Sequence, residues 1–155
     1  MKKFDYSLTP KVGIGNIKFG TTLEEVIKIL GEADEMEEFN DEDFFNTTLL
    51  TYSELELDLF FEGSDKLVFS AIGVDNDEST LYGKKIFEMD EAGVIKLMKD
   101  NGFKEVDINV DEEYDEKCVS FEDANFDFYF NNEGNLVSVN FGVLVSEEGN
   151  IIDFD

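Results

Sequence analysis

The residues of this chain that could take part in chemistry are almost all carboxylates. The sequence holds 38 aspartates and glutamates, 12 lysines and one cysteine, and it has no histidine, arginine or tryptophan. Nucleophile–histidine pairs, histidine-bound zinc and arginine phosphate clamps are therefore excluded by residue type. Two acids about 5 to 10 Å apart in a cleft can still hydrolyse a glycoside. With 38 acids in the chain, some pair meets that spacing by chance. We therefore predict a protein that is not an enzyme, uses no cofactor and holds no metal ion.

A calcium loop is the other chemistry that acidic residues suggest. The segment DNDEST, which starts at Asp75, begins with alternating oxygen ligands. An EF-hand loop also requires glycine at its sixth position and glutamate at its twelfth. This segment has Thr80 at the sixth position and no glutamate at the twelfth. We therefore expect an acidic connector there; weak calcium binding stays open.

The charge of the chain bears on its partners. The formal net charge is −26, whereas solubility needs a magnitude of only roughly 2 to 8. A field of this sign repels nucleic acid and anionic membranes and attracts basic proteins. The charge thus predicts a basic protein partner and neither nucleic acid nor membrane binding, although acidity that serves solubility alone remains an alternative.

The N-terminal segment MKKFDYSLTP has two lysines and no apolar run after them. A secretory leader needs such a run, and no window of the chain approaches a membrane span. The single cysteine, Cys118, allows no intramolecular disulfide. We expect a bacterial protein of the cytoplasm.

One stretch of sequence occurs twice, and it indicates how the chain is organised. ELDLFFEGSDKLVFSAIGV (Glu56 to Val74) returns as NFDFYFNNEGNLVSVNFGV (Asn125 to Val143), 69 residues later. That offset aligns Asp58 with Asp127 and Val74 with Val143. We predict two copies of one unit, at about 13–76 and 81–145, within a single domain of residues 1–155. An acidic tail, 146–155, follows and is expected to fray.

Each predicted unit combines one helix with several strands. Thr21 or Thr22 is expected to cap the first helix and Gly31 to end it, while Asp90 caps the second helix and Gly102 ends it. Alternation of period two predicts the strands that follow. One face should carry these side chains: Leu55, Leu57, Leu59, Phe61, Val68, Ser70, Ile72, Val74, Ala124, Phe126, Phe128, Phe130, Val137, Val139, Phe141 and Val143.

These elements predict an α+β fold. A helix over three or four strands is a thin core, and a second copy can join its sheet edge to edge. The expected result is one continuous antiparallel sheet of about six to eight strands, with both helices on one face. The other face is expected to be open to water.

The segment GIGNIKFGTTLEEVIKILGEAD, followed by a run of strands, resembles the repeat of the β-lactamase-inhibitory-protein-like superfamily. It is also similar to small bacterial immunity-type proteins with an opening of the same pattern. The resemblance extends from about Gly15 to Val143 in two copies. It departs at Ala33, where the motif often has proline, and at Asp90 and Lys99 in the second copy, where the motif has glycine. The resemblance implies a two-repeat α+β fold whose open sheet face binds another protein, and it implies no catalytic residue.

The open face is where we expect the partner to bind. The alternation places acidic and aromatic side chains side by side there, as a binding patch with rigid anchors requires. Packing of the rings against acidic loops is the alternative. The predicted partner-binding residues are Glu56, Asp58, Phe60, Phe69, Asn125, Asp127, Tyr129 and Asn140.

Three functions fit this surface. The first is an immunity or inhibitor protein that neutralises a basic toxin or nuclease without catalysis. The second is a phage-type DNA mimic, which would compete with DNA for a host protein. The third, of a different class, is a carboxylate-dependent hydrolase, which needs a deep cleft with two acids, one of raised pKa.

Overall fold

The computed structural model describes residues 4–40, 46–64, 66–113, 115–146 and 150–152. Strands predominate, and there are two α-helices, α1 (Leu23–Leu30) and α2 (Glu91–Asp100), and a 3₁₀ turn at Ile86–Glu88. In chain order the strands are β1 (Ser7–Thr9), β2 (Gly13–Ile14), β3 (Ile17–Lys18), β4 (Glu35–Asn40), β5 (Asn46–Tyr52), β6 (Leu57–Gly63), β7 (Val68–Val74), β8 (Thr80–Leu81), β9 (Lys84–Lys85), β10 (Val106–Asp111), β11 (Glu116–Phe121), β12 (Phe126–Phe130), β13 (Leu136–Gly142), β14 (Leu144–Val145) and β15 (Ile151–Ile152).

One large antiparallel sheet of eight strands forms the centre of the molecule. Its order is β10-β11-β12-β13-β7-β6-β5-β4, so each half of the chain contributes four consecutive strands. The halves meet where β7 pairs with β13, with Ile72 opposite Phe141. The expectation of an α+β protein with a large antiparallel sheet is confirmed.

The core lies on one face of this sheet, which we call the covered face. A row of apolar side chains crosses the sheet on that face, and all but the last are buried. The row follows the strand registers through Leu50, Leu59, Ile72, Phe141, Phe126, Phe121 and Val106. The Phe126 ring stacks on that of Phe141 within the second half, with centroids 4.5 Å apart. The Phe19 ring of the first half meets the Phe141 ring edge-on at 5.7 Å, which packs the halves together.

Both helices contact the covered face. The Tyr52 hydroxyl of β5 donates to the Gly31 carbonyl at the end of α1 (2.8 Å). Glu91, the first residue of α2, pairs with Lys117 of β11 (2.8 Å). Val26 and Val94 bring an apolar side of each helix into the core, where both are fully buried.

The expected helix caps are confirmed. The Thr22 hydroxyl accepts from the Glu25 N–H (3.3 Å), and the Asp90 carboxylate accepts from the Gly93 N–H (2.8 Å). Each bond satisfies a backbone donor that the helix itself leaves without a partner. At the end of α1, Gly31 has φ of 86°, a left-handed value that favours glycine.

A small sheet of short strands lies beside the large one. Its order is β3-β2-β1-β8-β9, and β1 pairs in parallel with β8. A β-hairpin therefore precedes the helix in each half, β2–β3 before α1 and β8–β9 before α2. The parallel pairing of β1 with β8 ties the two halves together a second time.

The alternation predicted for the returning strands is wrong in part, because each contains a β-bulge. In β7, Phe69 pairs with Phe61 and Ala71 pairs with Phe60, so Ser70 is an extra residue without an opposite partner. An extra residue shifts the alternation that follows it by one position. Phe69 therefore occupies the covered face, and its ring lies 5.8 Å from that of Phe61.

The second half has its bulge in β13, opposite Tyr129 and Phe130 of β12. Phe130 pairs with Leu136 and Tyr129 with Ser138, which leaves Val137 as the extra residue. Val137 is 41% exposed, whereas Leu136 is buried. The β12–β13 turn is also two residues shorter than the β6–β7 turn, so Val139, not Phe141, takes the place of Ile72.

The predicted tail is partly ordered. Ile151–Ile152 pairs with Leu144–Val145, so this part of the tail forms a small hairpin. The remainder of the predicted tail at 147–149 and 153–155 lies outside the described residues, as do 41–45 of the acidic connector after β4. The acidic connector at Asp75 forms a turn in which the Glu78 N–H donates to the Asn76 side chain (2.8 Å).

Candidate protein-binding surface

The face of the large sheet opposite the helices, here called the open face, carries a polar row across all eight strands. One residue from each strand contributes to it, with Gly73 as the contribution of β7, and the strand registers place these residues in line. From β4 to β10 the row reads Glu35, Thr51, Asp58, Gly73, Asn140, Asp127, Ser120 and Asp107. The two halves thus place similar residues at equal distances from the β7–β13 junction, and a partner would meet the same chemistry on either side of it.

The charges on the open face all have one sign. Eight acidic side chains lie on it by strand register, namely Glu35, Glu37, Asp58, Glu62, Asp107, Asp111, Glu116 and Asp127. The only lysine in any of the eight strands is Lys117, which lies on the covered face and pairs with Glu91. Like charges on one surface repel and destabilise the folded state. A surface with this distribution favours a basic partner that neutralises it.

The centre of the open face is flat and closely packed. Gly73 and Asn140 are opposite each other across the β7–β13 junction. The Asn140 side chain lies over Gly73, since a Cβ built on Gly73 would sit 2.7 Å from the Asn140 Oδ1. Next to this pair, Asn125, Asp127 and Asn140 line a shallow depression of about 140 Å³. The centre therefore offers amide and carboxylate groups to a partner with little relief.

Aromatic and apolar side chains flank the polar row. Phe60 and Tyr129 are half-buried, each next to the bulge of its own half. Tyr129 also lines a groove of about 660 Å³, together with Cys118 of β11 and residues of β10. Half-buried rings beside acidic groups are a common composition for protein-binding patches.

Two groups beside this groove have raised pKa values. Burial raises the pKa of the Cys118 thiol, and the carboxylate of Asp127 raises it further, against a hydrogen bond with Ser120 that lowers it. Burial also raises the pKa of the Tyr129 phenol, with a further contribution from Asp127, while a hydrogen bond with Asn140 lowers it. Both groups thus stay neutral at physiological pH, and the negative charge here comes from carboxylates alone.

Five of the eight predicted partner-binding residues lie in strands of the large sheet at positions on the open face, as expected. These are Asp58, Phe60, Asp127, Tyr129 and Asn140. Neighbouring strands are about 4.8 Å apart, so the backbones of Asp58 and Asp127 are about 14 Å apart across three strand steps. This pair is farther apart than the roughly 5 to 10 Å at which two carboxylates hydrolyse a glycoside.

The other three predicted residues lie elsewhere. The placement of Phe69 on the open face is wrong: its ring is fully buried and lies 4.8 Å from that of Phe19. Glu56 and Asn125 have φ of 58° and 51° and lie in the turns before β6 and β12. Asn125 still borders the central depression, whereas the Glu56 carboxylate accepts from the Asn76 side chain (3.1 Å).

Sequence reasoning missed the separation of the two charge signs. The signal was present, because the strands predicted from alternation contain acidic residues and no lysine. Among the described residues, no three acidic or cysteine side chains are close enough together to hold a metal ion. No helix in the described ranges is long and apolar enough to cross a membrane.

Comparison of the chain with protein-family models, with curated proteins and with solved structures finds no match.

Proposed function

We propose that this protein is a non-catalytic, acidic binding protein of the bacterial cytoplasm. In this proposal it is an immunity or inhibitor protein that neutralises a basic toxin or nuclease. The partner docks on the open face. The observation that carries the proposal is the single sign of charge on that face, which carries eight acidic side chains and, among the residues of its eight strands, no lysine side chain.

The charge supports a basic partner in two ways. Complementary charge speeds encounter, and the chain as a whole has a formal charge of −26 to supply that field. Toxins that cleave nucleic acid carry basic clefts for phosphate groups, and an acidic row across a sheet fits such a cleft. The row also repels nucleic acid itself, which keeps the surface free for the protein partner.

The aromatic rings would contribute binding free energy that the charge alone does not provide. Interface free energy is concentrated in a few aromatic or arginine anchors that a partner buries completely. In the proposal Phe60 and Tyr129 are those anchors, one in each half, and both are only half-buried in the isolated chain. Asp58 and Asp127 then provide the acidic surround.

The proposal includes the duplication of one unit and its resemblance to the β-lactamase-inhibitory-protein-like repeat. The strand registers support it. Adding 69 to both members of the pair Leu50–Leu59 gives the pair Val119–Phe128, which is also observed. A duplicated unit places equivalent acids and rings at two points of one surface, which enlarges the area available to a partner.

The proposal is tested by co-expression with the product of the neighbouring gene in the source genome. Wild type is compared with the open-face variant Asp58→Lys/Asp127→Lys. The control Glu32→Lys/Glu88→Lys makes the same change in net charge at exposed positions away from the open face. Relief of toxicity is measured in the co-expressing cells. Complex formation is measured with the purified proteins at about 0.1 M and about 1 M salt, between which the Debye length falls from about 10 Å to about 3 Å.

We expect wild type and the control to relieve toxicity and the open-face variant to lose most of its affinity. The complex should weaken at the higher salt concentration because its charges are then screened. If no toxicity is relieved and no complex forms even at low salt, the proposal fails. Competition with DNA for a host protein would favour the DNA mimic, and turnover lost on removal of either of two acids would favour a hydrolase.

A further inference from the structure

The edge strand β10 (Val106–Asp111) has a composition that the open face does not account for. It pairs with β11 over six residues without a bulge, and among the described residues it has no strand on its other side. An edge of this kind presents backbone N–H and C=O groups to solvent. Charged residues, bulges or a covering loop usually protect such an edge from pairing with other chains.

Polar and acidic side chains, which would protect β10 from pairing with other chains, lie on only one of its two faces. Asp107, Asn109 and Asp111 point to the open face, while Val106, Ile108 and Val110 alternate with them on the helix side. Ile108 is 45% exposed and Val110 is 62% exposed. The strand therefore combines an exposed apolar side, an acidic side and an outer backbone edge that no strand of the described residues covers. Within that edge the Val106 N–H donates to the Lys104 carbonyl (3.2 Å).

The opposite edge of the sheet does not have this combination. On β4 the helix-side positions are Met36 and Glu38, so a carboxylate interrupts the apolar side. The open-face positions include Phe39, which is 50% exposed. The two edges occupy equivalent places in the sheet but differ in chemistry, which makes β4 a matched control for β10.

We infer that β10 is a strand-addition site for an extended, basic segment of a partner protein. The added strand would pair with the free backbone edge of β10. It would place lysine or arginine side chains beside Asp107 and Asp111, and apolar side chains beside Ile108 and Val110. The inference rests on the proposed function in one respect, that the partner is basic.

Charge argues for this occupant over a second copy of the chain. A copy brings a second charge of −26, so self-pairing is opposed by the field that attracts a basic segment. Strand addition also combines sources of affinity and specificity. The backbone bonds give affinity, and the alternating side chains select a segment that alternates basic and apolar residues.

The test uses the whole protein and a synthetic peptide, Val-Lys-Ile-Lys-Val-Lys, as the probe. The control peptide has the same residues with every backbone amide N-methylated, so it keeps its charge and cannot donate to a strand. Binding is measured by titration, and its position by amide NMR shifts and hydrogen exchange across the chain. The protein variants are Val110→Thr and Asp107→Lys, with Met36→Thr and Glu35→Lys as matched changes on β4.

We expect the plain peptide to protect amides of β10 from exchange. It should bind at least about tenfold more tightly than the methylated peptide, the difference expected from one or two net hydrogen bonds. Val110→Thr and Asp107→Lys should weaken binding several-fold more than their β4 counterparts. A retained amide NMR spectrum shows that each variant is folded.

Four outcomes would overturn the inference. The first is equal binding of the two peptides, and the second is equal loss from the β4 and β10 variants. The third is a concentration-dependent dimer of the protein through β10. Shifts confined to open-face residues such as Asp58 would also overturn it but would leave the proposed function intact, because no toxin takes part in this experiment.

Discussion

Substitution of two glycines at the β7–β13 junction tests how tightly the two halves of the sheet are packed. Gly73 and Gly142 are both buried, and neither has a left-handed φ, so alanine is allowed by the backbone at both positions. What differs is the neighbour that a new Cβ would meet. Alanine substitutions at the two positions therefore differ in the packing of the new Cβ and not in backbone preference.

We expect Gly142→Ala to destabilise the protein. A Cβ at residue 142 would meet the Ser70 carbonyl oxygen at 2.4 Å and the Ala71 Cβ at 2.7 Å, and a backbone atom cannot rotate away. Overpacking of this kind costs about 1–3 kcal/mol, and the loss of glycine entropy in the unfolded chain returns about 0.4–1 kcal/mol. Central values of the two terms give a net loss of about 1–2 kcal/mol, or a fall in Tm of about 2–8 °C for a chain of this size.

Gly73→Ala is the control and should be nearly neutral. The atom in its way is the Asn140 Oδ1 at 2.7 Å, which belongs to an exposed side chain that can rotate. Moving it costs roughly one hydrogen bond, about 1 kcal/mol, which the entropy term offsets. We expect a net change within about 0.5 kcal/mol.

Urea and thermal unfolding followed by circular dichroism measure both variants. The second substitution Ala71→Gly should partly rescue Gly142→Ala, because it removes the Cβ contact but leaves the Ser70 carbonyl in place. If Gly142→Ala unfolds at the same urea concentration as wild type, or if Gly73→Ala is the more damaging change, the close junction between the two halves is refuted.

Three further predictions concern the candidate surface and a helix end. Asp127→Asn should lower the pKa values of both Tyr129 and Cys118, because the Asp127 charge raises both. Ring-carbon NMR against pH measures the pKa of Tyr129, and alkylation rates against pH measure that of Cys118. Unchanged pKa values would contradict the electrostatic effect of Asp127. Since burial raises the folded pKa of Tyr129 above 10.0, its contribution to stability is present below about pH 10 and is lost as pH rises through the folded value. Asp90→Ala should cost about 1 kcal/mol in urea unfolding, as loss of a helix cap does, and Asp90→Asn should retain most of that stability.

The sequence by itself determined the local structure, because helix caps, turn glycines and period-two alternation depend on residues near one another in the chain. Thr22 and Asp90 cap the helices as expected, and Leu57, Leu59, Phe126 and Phe128 are buried as the alternation requires. It also determined the sign of the charge. These features need no knowledge of which strands pair.

Only the tertiary structure decided how the strands align across the sheet. A bulge adds one residue to one strand, and that residue depends on pairing with the partner strand rather than on composition. For this reason the alternation placed Phe69 on the wrong face, although it was right for Phe60 on the preceding strand. The polar row from Glu35 to Asp107 and the exposed side of β10 likewise follow from strand order, which brings together residues far apart in the chain.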